Sequence, residues 1–480
     1  MPGPSGIPLR FLVPQPANPA TLVSRPRLDG QLSRGVERPV TLVVAGPGSG
    51  KTLTLASWAG RDPLRPGPVA WLTVDPTDND LATAWSDVLD ALRIGGALPD
   101  GSPLRDIVPA AAFGPGELRD IRVGFADLPG PVVLVLDDFQ AITNPVVLDS
   151  FDQLIDRSPP HLRLVIASRA DPRLRLHRLR VNGELAEMRS RDLAFTAAET
   201  AGLFDRSGIL LSDRQVQALL TRTEGWPAGL RLASMSLDPN DIDGGIARFS
   251  GTEGSVAEYL IGEVVDRLPD DHRDFLLKTS IVRRLTVDLA TELSGRVDGE
   301  VILEKLIGAN AFVVAFGEQR DWYGYHPLFR EMLAHRLAVE QPAAVPGLNL
   351  RAARWFAAHG QLVEGIRHAI AAWDLDEVGR LMIAATPLML TSDRPALVAA
   401  LEPVAARAVQ RPGWCQLVAA AICHFGRGDH ESMRLDADEA GQFLTAAPAD
   451  VKRRCGDRAR HWPDGLRPQP PHRHPGAGRR

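Results

Sequence analysis

A parallel α/β sheet covered by helices on both faces, followed by a long helical region, is the fold class this sequence predicts. Three observations predict it. Short apolar runs alternate with helical patterns from about residue 21 to 205, and strand patterns almost vanish after Phe204. The first long apolar run, 40–44, also passes directly into a glycine-rich turn, AGPGSGKT, that opens a helix.

Taken in order, the apolar runs 40–44, 69–74, 132–136 and 162–167 read as buried strands, and 51–58, 81–92 and 146–155 carry helical spacing. Right-handed crossovers then place every strand end on one carboxyl edge of the sheet. Beyond Phe204, 213–223 and 228–235 read as helices of a small unit, 206–255, and the glycine-rich stretch 243–254 separates it from the next block. Helices between 256 and 340 end in two strand patterns, 311–315 and 322–325, flanking a turn at Gly317. Helices followed by a hairpin predict a winged-helix unit. Residues 348–450 are alanine-rich and helical throughout, as stacked helix pairs without a clean repeat period.

Composition narrows the classes. With 480 residues the chain should hold three or more folding units, and 44% apolar with 24% charged residues is ordinary for soluble protein. A net charge of -5 excludes a general affinity for nucleic acid. Cys415, Cys423 and Cys455 have no metal-ligand spacing, so a reducing, cytoplasmic setting is expected. The N-terminal 1–20 is proline-rich and reads as an extended arm, not a signal peptide, and no apolar run is long enough for a membrane span.

The chemistry concentrates at the strand ends. Ala45, Gly46, Pro47, Gly48, Ser49, Gly50, Lys51 and Thr52 bring backbone amides, an ammonium and a hydroxyl to one focus, as a phosphate chain with its magnesium ion requires. Gly46, Gly48 and Gly50 supply the freedom to turn amides inward. Lys51 would reach the β- and γ-phosphates and Thr52 would enter the magnesium shell. Ala45 stands where the usual pattern begins with glycine. The strand 132–136 ends in Asp137 and Asp138, one carboxylate to hold Mg2+ through water and the next to polarise an attacking water. The strand 162–167 ends in Ser168 and Arg169, and Arg169 either faces the γ-phosphate or pairs on the surface with Asp171. A P-loop NTPase that binds ATP or ADP with Mg2+ is the resulting expectation.

Beyond these residues, the chain resembles the ATPase core of the large LuxR-type transcriptional regulators, the maltose-regulon-activator-like group within the STAND signal-transduction ATPases. The resemblance is carried by LVSRPRL (22–28), AGPGSGKTLTLASWA (45–59), VAWLTVDPTDND (69–80), LVLDDFQ (134–140) and ASRADP (167–172). It continues through TEGWPAGLRLA (223–233), YHPLF (325–329) and AARWFAAHGQLVEGIRHAIAAWD (352–374), so it covers roughly residues 20–390. The resemblance implies that Pro227, in the GxP element Gly225-Trp226-Pro227, packs beside the adenine, and that Arg25 lies against the base. It also implies that His326 touches the β-phosphate of ADP in a closed state; the plainer reading is a histidine capping the helix begun by Pro327. Gly324 departs from the family pattern, which often has arginine before the Tyr-His pair.

What the resemblance implies about function is a weak ATPase used as a two-state switch. In it, ADP is clamped between the NTPase core and the winged-helix unit, a small-molecule or protein inducer acts on the helical repeats, and ATP favours self-association. The family's C-terminal helix-turn-helix has no counterpart pattern here, so no specific DNA binding is expected from this chain. The tail 451–480, with eight arginines and one lysine against two aspartates, reads as disordered and basic, and its composition resembles a shifted reading frame of GC-rich DNA. The competing expectations are a nucleotide-gated interaction module, a free-standing P-loop ATPase, and a truncated, non-functional product.

Overall fold

The computed structural model describes residues 7–15, 22–61, 66–109, 113–316, 321–410 and 413–446. The expected basic tail 451–480, most of the arm 1–20 and the turn at Gly317 lie outside them. Two compact units are distinguished, residues 1–269 with 300–332 and residues 270–299 with 333–480.

In the first unit β1 (Val40–Val44), β2 (Val69–Thr73), β3 (Val132–Asp137), β4 (Leu162–Ser168) and β5 (Leu185–Arg189) form one sheet in the order β2-β3-β4-β1-β5. Every pairing is parallel, with Val44 opposite Ser168 and Arg189, and Thr73 opposite Asp137. The carboxyl ends of β1, β3 and β4 therefore lie side by side, which places the loop after Val44 beside Asp137 and Ser168.

β1 and β3 are buried along their whole length because the sheet has a core on each face. Val40, Leu42, Val44, Leu134, Leu136, Leu164 and Ile166 join one core with Trp85, Phe125 and Phe151 from the helices Leu81–Ile94, Pro115–Ala126 and Pro145–Asp156. Their neighbours Val43, Val133, Val135, Val165 and Ala167 join the other with Leu28, Leu32, Leu55 and Trp58, from the helices Pro26–Gly35 and Lys51–Arg61. Side chains on a strand alternate between faces, so a strand covered twice must be apolar throughout. Each large side chain taken fully out of water contributes about 1.5–3 kcal/mol.

β5 is a strand that the apolar runs did not indicate. Only Leu185 and Met188 are buried in it, a spacing of three residues, so it shows neither a continuous run nor alternation. It pairs on one side only, and Glu187 sits on it between Arg180 and Arg189 at 2.8 and 2.5 Å. The hydrogen bonds from Arg180 and then Arg189 hold the Glu187 carboxyl down at about 2. Charged groups on an edge strand discourage further pairing.

Of the proline-rich N-terminus, Leu9–Phe11 makes one 3-10 turn whose Phe11 enters the first core. Arg10 pairs there with Asp78, with Asp75 at 3.2 Å and with Asp87 at 3.0 Å. Burial, with the nearby Asp78, pushes the Asp87 carboxyl up to about 6.

The helices Asp213–Thr223, Pro227–Ser236, Ile242–Arg248 and Gly254–Glu263 come next along the chain. Ile242–Arg248 overlaps the glycine-rich stretch expected to be a separator. Asp241 caps it by accepting from Gly244 N at 3.1 Å and pairs with Arg248 at 2.8 Å, which offsets the cost of two helical glycines. β6 (Val313–Phe316) and β7 (Trp322–Tyr325) form the expected antiparallel hairpin, with Val313 opposite Tyr325.

The second unit is helical among its described residues. Of the helices Ala344–Ala358, Leu362–Ala371, Leu375–Ala384, Arg394–Ala405, Trp414–Arg427 and His430–Ala446, most pack on the next along the chain, but Arg394–Ala405 packs on Leu362–Ala371 and Leu375–Ala384 on Trp414–Arg427. Ala353, Ala369, Ala400 and Ala419 are buried at the seams with Ile366, Leu381, Leu401 and Val418. Small residues at those places let helix backbones approach, which explains the alanine-rich composition. His368 is half-buried, stacks on Phe356 with ring centroids 5.4 Å apart and lies 2.9 Å from Asn349 Oδ1, and its pKa falls to about 4 because desolvation penalises the cation. No helix among the described residues is long and apolar enough to cross a membrane.

Candidate functional site

The loop after β1 is wound tightly. Gly48 and Gly50 have φ of 70° and 79°, values that favour glycine. Gly46 is needed for a different reason: a Cβ there would lie 2.6 Å from the Asn310 carbonyl oxygen. Ala45 in the leading position is accommodated because it needs no positive φ and is buried in the second core.

Lys51 is buried, and its ammonium donates to the carbonyls of Ala45 at 2.7 Å and Gly46 at 3.2 Å. Burial, and next the like charge of Arg169, lowers its pKa to about 8, opposed by Asp137 and Asp138. An ammonium held, among the described residues, by two loop carbonyls suits a buried anion, and the loop amides supply the rest of such a cradle.

Asp137 closes β3 and is buried. Its Oδ2 accepts the Thr52 hydroxyl at 2.7 Å and its Oδ1 accepts the Asp138 amide at 3.0 Å. Its pKa is raised, foremost by burial and against the pull of the Thr52 hydrogen bond. A hydroxyl and a carboxylate side by side at a phosphate loop are the hard oxygen donors that Mg2+ takes, so the residues fit that ion. Asp138 is left-handed, with φ 55°, and accepts from Gln140 Nε2 at 2.8 Å. Gln140 Oε1 in turn accepts the Arg169 amide at 2.9 Å, which ties the ends of β3 and β4 together.

Arg169 does not pair with Asp171. Its guanidinium meets Glu263 at 2.6 Å, while Asp171 pairs with Arg189 at 2.6 Å. The Arg169 carbonyl also accepts from Asn310 Nδ2 at 2.8 Å.

The GxP element covers the loop from the other side. Gly225, with φ of 74°, accepts the Phe195 amide at 2.8 Å, and Pro227 begins the helix Pro227–Ser236, where a missing N–H costs nothing. Trp226 Nε1 donates to the Pro47 carbonyl at 3.1 Å and Ala228 N to the Gly48 carbonyl at 3.1 Å. Two hydrogen bonds thus hold the GxP element against the loop tip.

Pro227, Ala228, Gly48, Gly50, Leu53 and Phe195 help line a cavity of about 450 Å³ that opens beside the phosphate loop. Arg25 lies on its wall, over the Phe195 ring at 4.5 Å, and donates to the carbonyls of Leu193 at 2.8 Å and Ala194 at 3.0 Å and to Glu199 at 3.1 Å. One terminal nitrogen of Arg25 is engaged in this way while its buried Nε has no partner, and the side chain forms part of the cavity wall.

His326 lies in a different place. It lines a second cavity of about 420 Å³ with Pro47, Trp226 and Phe312. Its Nε2 lies 2.8 Å from the Thr223 carbonyl, which fixes Nε2 as the donor and leaves the buried Nδ1 without a partner. Burial lowers its pKa. Its own carbonyl accepts from Arg330 N at 2.9 Å, at the start of the helix Pro327–Glu340.

The fold thus brings Ala45, Gly46, Pro47, Gly48, Ser49, Gly50, Lys51, Thr52, Asp137, Asp138 and Arg169 to one sheet edge, with Pro227 and Arg25 on one flank and His326 on the other. Trp226, Gln140, Glu263 and Asn310 join them without having been singled out for these contacts. Only Gln140 gave a local signal, two residues past the paired aspartates; Glu263 and Asn310 arrive from other elements and carry none.

The family model for the MalT winged helix domain matches residues 261–345. Over 384 residues the chain is 32% identical to the serine/threonine-protein kinase PknK of Mycobacterium tuberculosis, covering 75% of this chain and 34% of that protein. It is 30% identical over 359 residues to the HTH-type transcriptional regulator MalT of Cronobacter sakazakii, covering 73% of this chain and 39% of that protein. A Walker-type ATPase of Pyrococcus abyssi superposes with a TM-score of 0.48 at 13% identity, covering 67% of this chain and 99% of that one. The chain therefore spans between a third and two fifths of the length of these curated relatives. It is thus similar in sequence to MalT and PknK over about three quarters of its length, and it joins a parallel α/β domain with a phosphate-type loop to a match to the MalT winged helix domain.

Proposed function

We propose that this chain binds ATP and ADP with Mg2+ at the edge of its parallel sheet and works as a slowly hydrolysing signal-transduction switch of a LuxR-type transcriptional regulator. The observation that carries the reading is Lys51: a buried ammonium aimed into a glycine-rich loop, next to a Thr52–Asp137 pair. In this reading the loop amides and Lys51 bind the phosphates, Thr52 and Asp137 hold Mg2+, and Asp138 takes the proton of an attacking water. The cavity beside Pro227 and Arg25 receives the base. Bound Mg2+ would supply charge neutralisation on the phosphates.

The hydrogen bonds from Trp226 and Ala228 to the loop support a closed form that encloses nucleotide. An inducer on the helical repeats 348–450 would favour another form, in which chains self-associate. Inverting a 1:99 population requires about 5.5 kcal/mol of differential binding. The MalT relative carries the name of a transcriptional regulator, and that activity comes to this chain as a proposal. Protein purified without added nucleotide and then denatured is expected to release close to stoichiometric ADP, measured by ion-exchange chromatography. A nucleotide-free protein to which neither ADP nor ATP binds sinks the reading.

A further inference from the structure

The helix Gly254–Glu263 sets two side chains over the candidate site from one face, since Tyr259 and Glu263 are four residues apart. Tyr259 touches the loop tip: a Cβ on Gly48 would lie 2.8 Å from its hydroxyl, and its ring packs against Trp226 with centroids 5.5 Å apart. One turn further on, the Glu263 carboxylate meets Arg169 at 2.6 Å and Arg267 at 3.2 Å. The Arg169 main chain is fixed at both its amide and its carbonyl, by Gln140 and Asn310. Its guanidinium is the part left to change partners, and it is near enough to Lys51 to depress that ammonium.

We propose that Glu263 is a specificity-determining residue that makes this site favour a nucleoside diphosphate over a triphosphate, by holding Arg169 away from the terminal phosphate. The inference rests on the nucleotide reading above. A diphosphate engages the loop amides and Lys51 and leaves the Arg169–Glu263 pair intact. A triphosphate adds charge on the side of Arg169, so it must either forgo that guanidinium and face the Glu263 carboxylate, or displace Glu263 from it. Displaced Glu263 keeps Arg267, so the exchange is reversible. By reciprocity, a triphosphate that takes Arg169 loosens the helix that carries Tyr259, and with it the cover over the loop tip.

The test compares ADP and a non-hydrolysable ATP analogue by calorimetry on the full chain, unmodified and as Glu263→Gln. The expected result is a roughly five- to tenfold gain in affinity for the triphosphate analogue with ADP affinity unchanged, as fits loss of one charge-assisted contact between half-buried groups. Glu263→Asp, which shortens the carboxylate, should shift the ratio the same way. In Arg169→Ala the Glu263→Gln substitution should have no further effect. Equal changes for both nucleotides, an unchanged ratio, or a triphosphate gain that persists without Arg169 would each overturn the proposal while the nucleotide reading stands. Absence of binding by the unmodified chain would overturn both.

Discussion

Lys51→Ala is expected to weaken ATP and ADP binding alike, by roughly 100- to 3,000-fold, with the fold intact. That range corresponds to removing one partner of a buried charged contact, about 3–5 kcal/mol, at 1.4 kcal/mol per tenfold. The fold should survive because, among the described residues, the ammonium bonds to two carbonyls of its own loop and to no carboxylate. Removing it also relieves a cation whose pKa burial and Arg169 have already lowered to about 8. Calorimetric titration of both nucleotides checks this, with circular dichroism as the control for folding. Unchanged affinity would mean that the glycine-rich loop is not where phosphate binds.

Asp138→Asn is expected to leave nucleotide affinity within about threefold and to lower ATP turnover by roughly 100- to 10,000-fold, the usual worth of a general base. The substitution is well matched to its place. Asp138 is left-handed, a conformation asparagine tolerates, and an asparagine carbonyl oxygen can still accept from Gln140. What is lost is the capacity to take a proton. Asp137 is the contrasting case: it is bonded to Thr52, so changing it should disturb metal and phosphate binding together. Phosphate release and binding measured on the same preparation separate the two outcomes. Equal loss of binding and turnover in Asp138→Asn would give Asp138 a structural role.

The parts of the fold legible in the sequence are those in which one local pattern decides the structure. β1, β3 and β4 lie between two cores, so apart from Thr41, Arg163 and the strand ends Asp137 and Ser168 they are apolar, and the runs ended within a residue of the strands. The loop was legible because anion binding by amides needs glycine at fixed places, although Gly46 turned out to serve close approach to Asn310. β5 was not legible, because an edge strand with two buried residues three apart has no period to read. The helix Ile242–Arg248 was hidden by its glycines, which a side-chain cap from Asp241 overrides.

The candidate site divides in the same way. Residues at strand ends announce themselves by position, whereas contacts made across the fold do not. Asp171, two residues after Arg169, is one of the two partners the sequence offers it, yet β5 brings Arg189 to Asp171 and the helix Gly254–Glu263 brings Glu263 to Arg169. Trp226 was quoted only as the middle of a motif, and its hydrogen bond to Pro47 joins residues 179 positions apart in the chain. Arg25 and His326 were placed only by resemblance. The first lines the larger cavity with one terminal nitrogen engaged and Nε unpartnered, and the second lines the other one with Nδ1 unpartnered.

A switch holds nucleotide as a signal and consumes it slowly. Steady-state ATP turnover by the unmodified chain, measured as phosphate release with saturating Mg2+, tests that most directly. A rate well below one per second, limited by departure of ADP, is the expected result. Sustained turnover at about 10 per second or more, the range of ordinary enzymes, with ADP leaving freely, would contradict it.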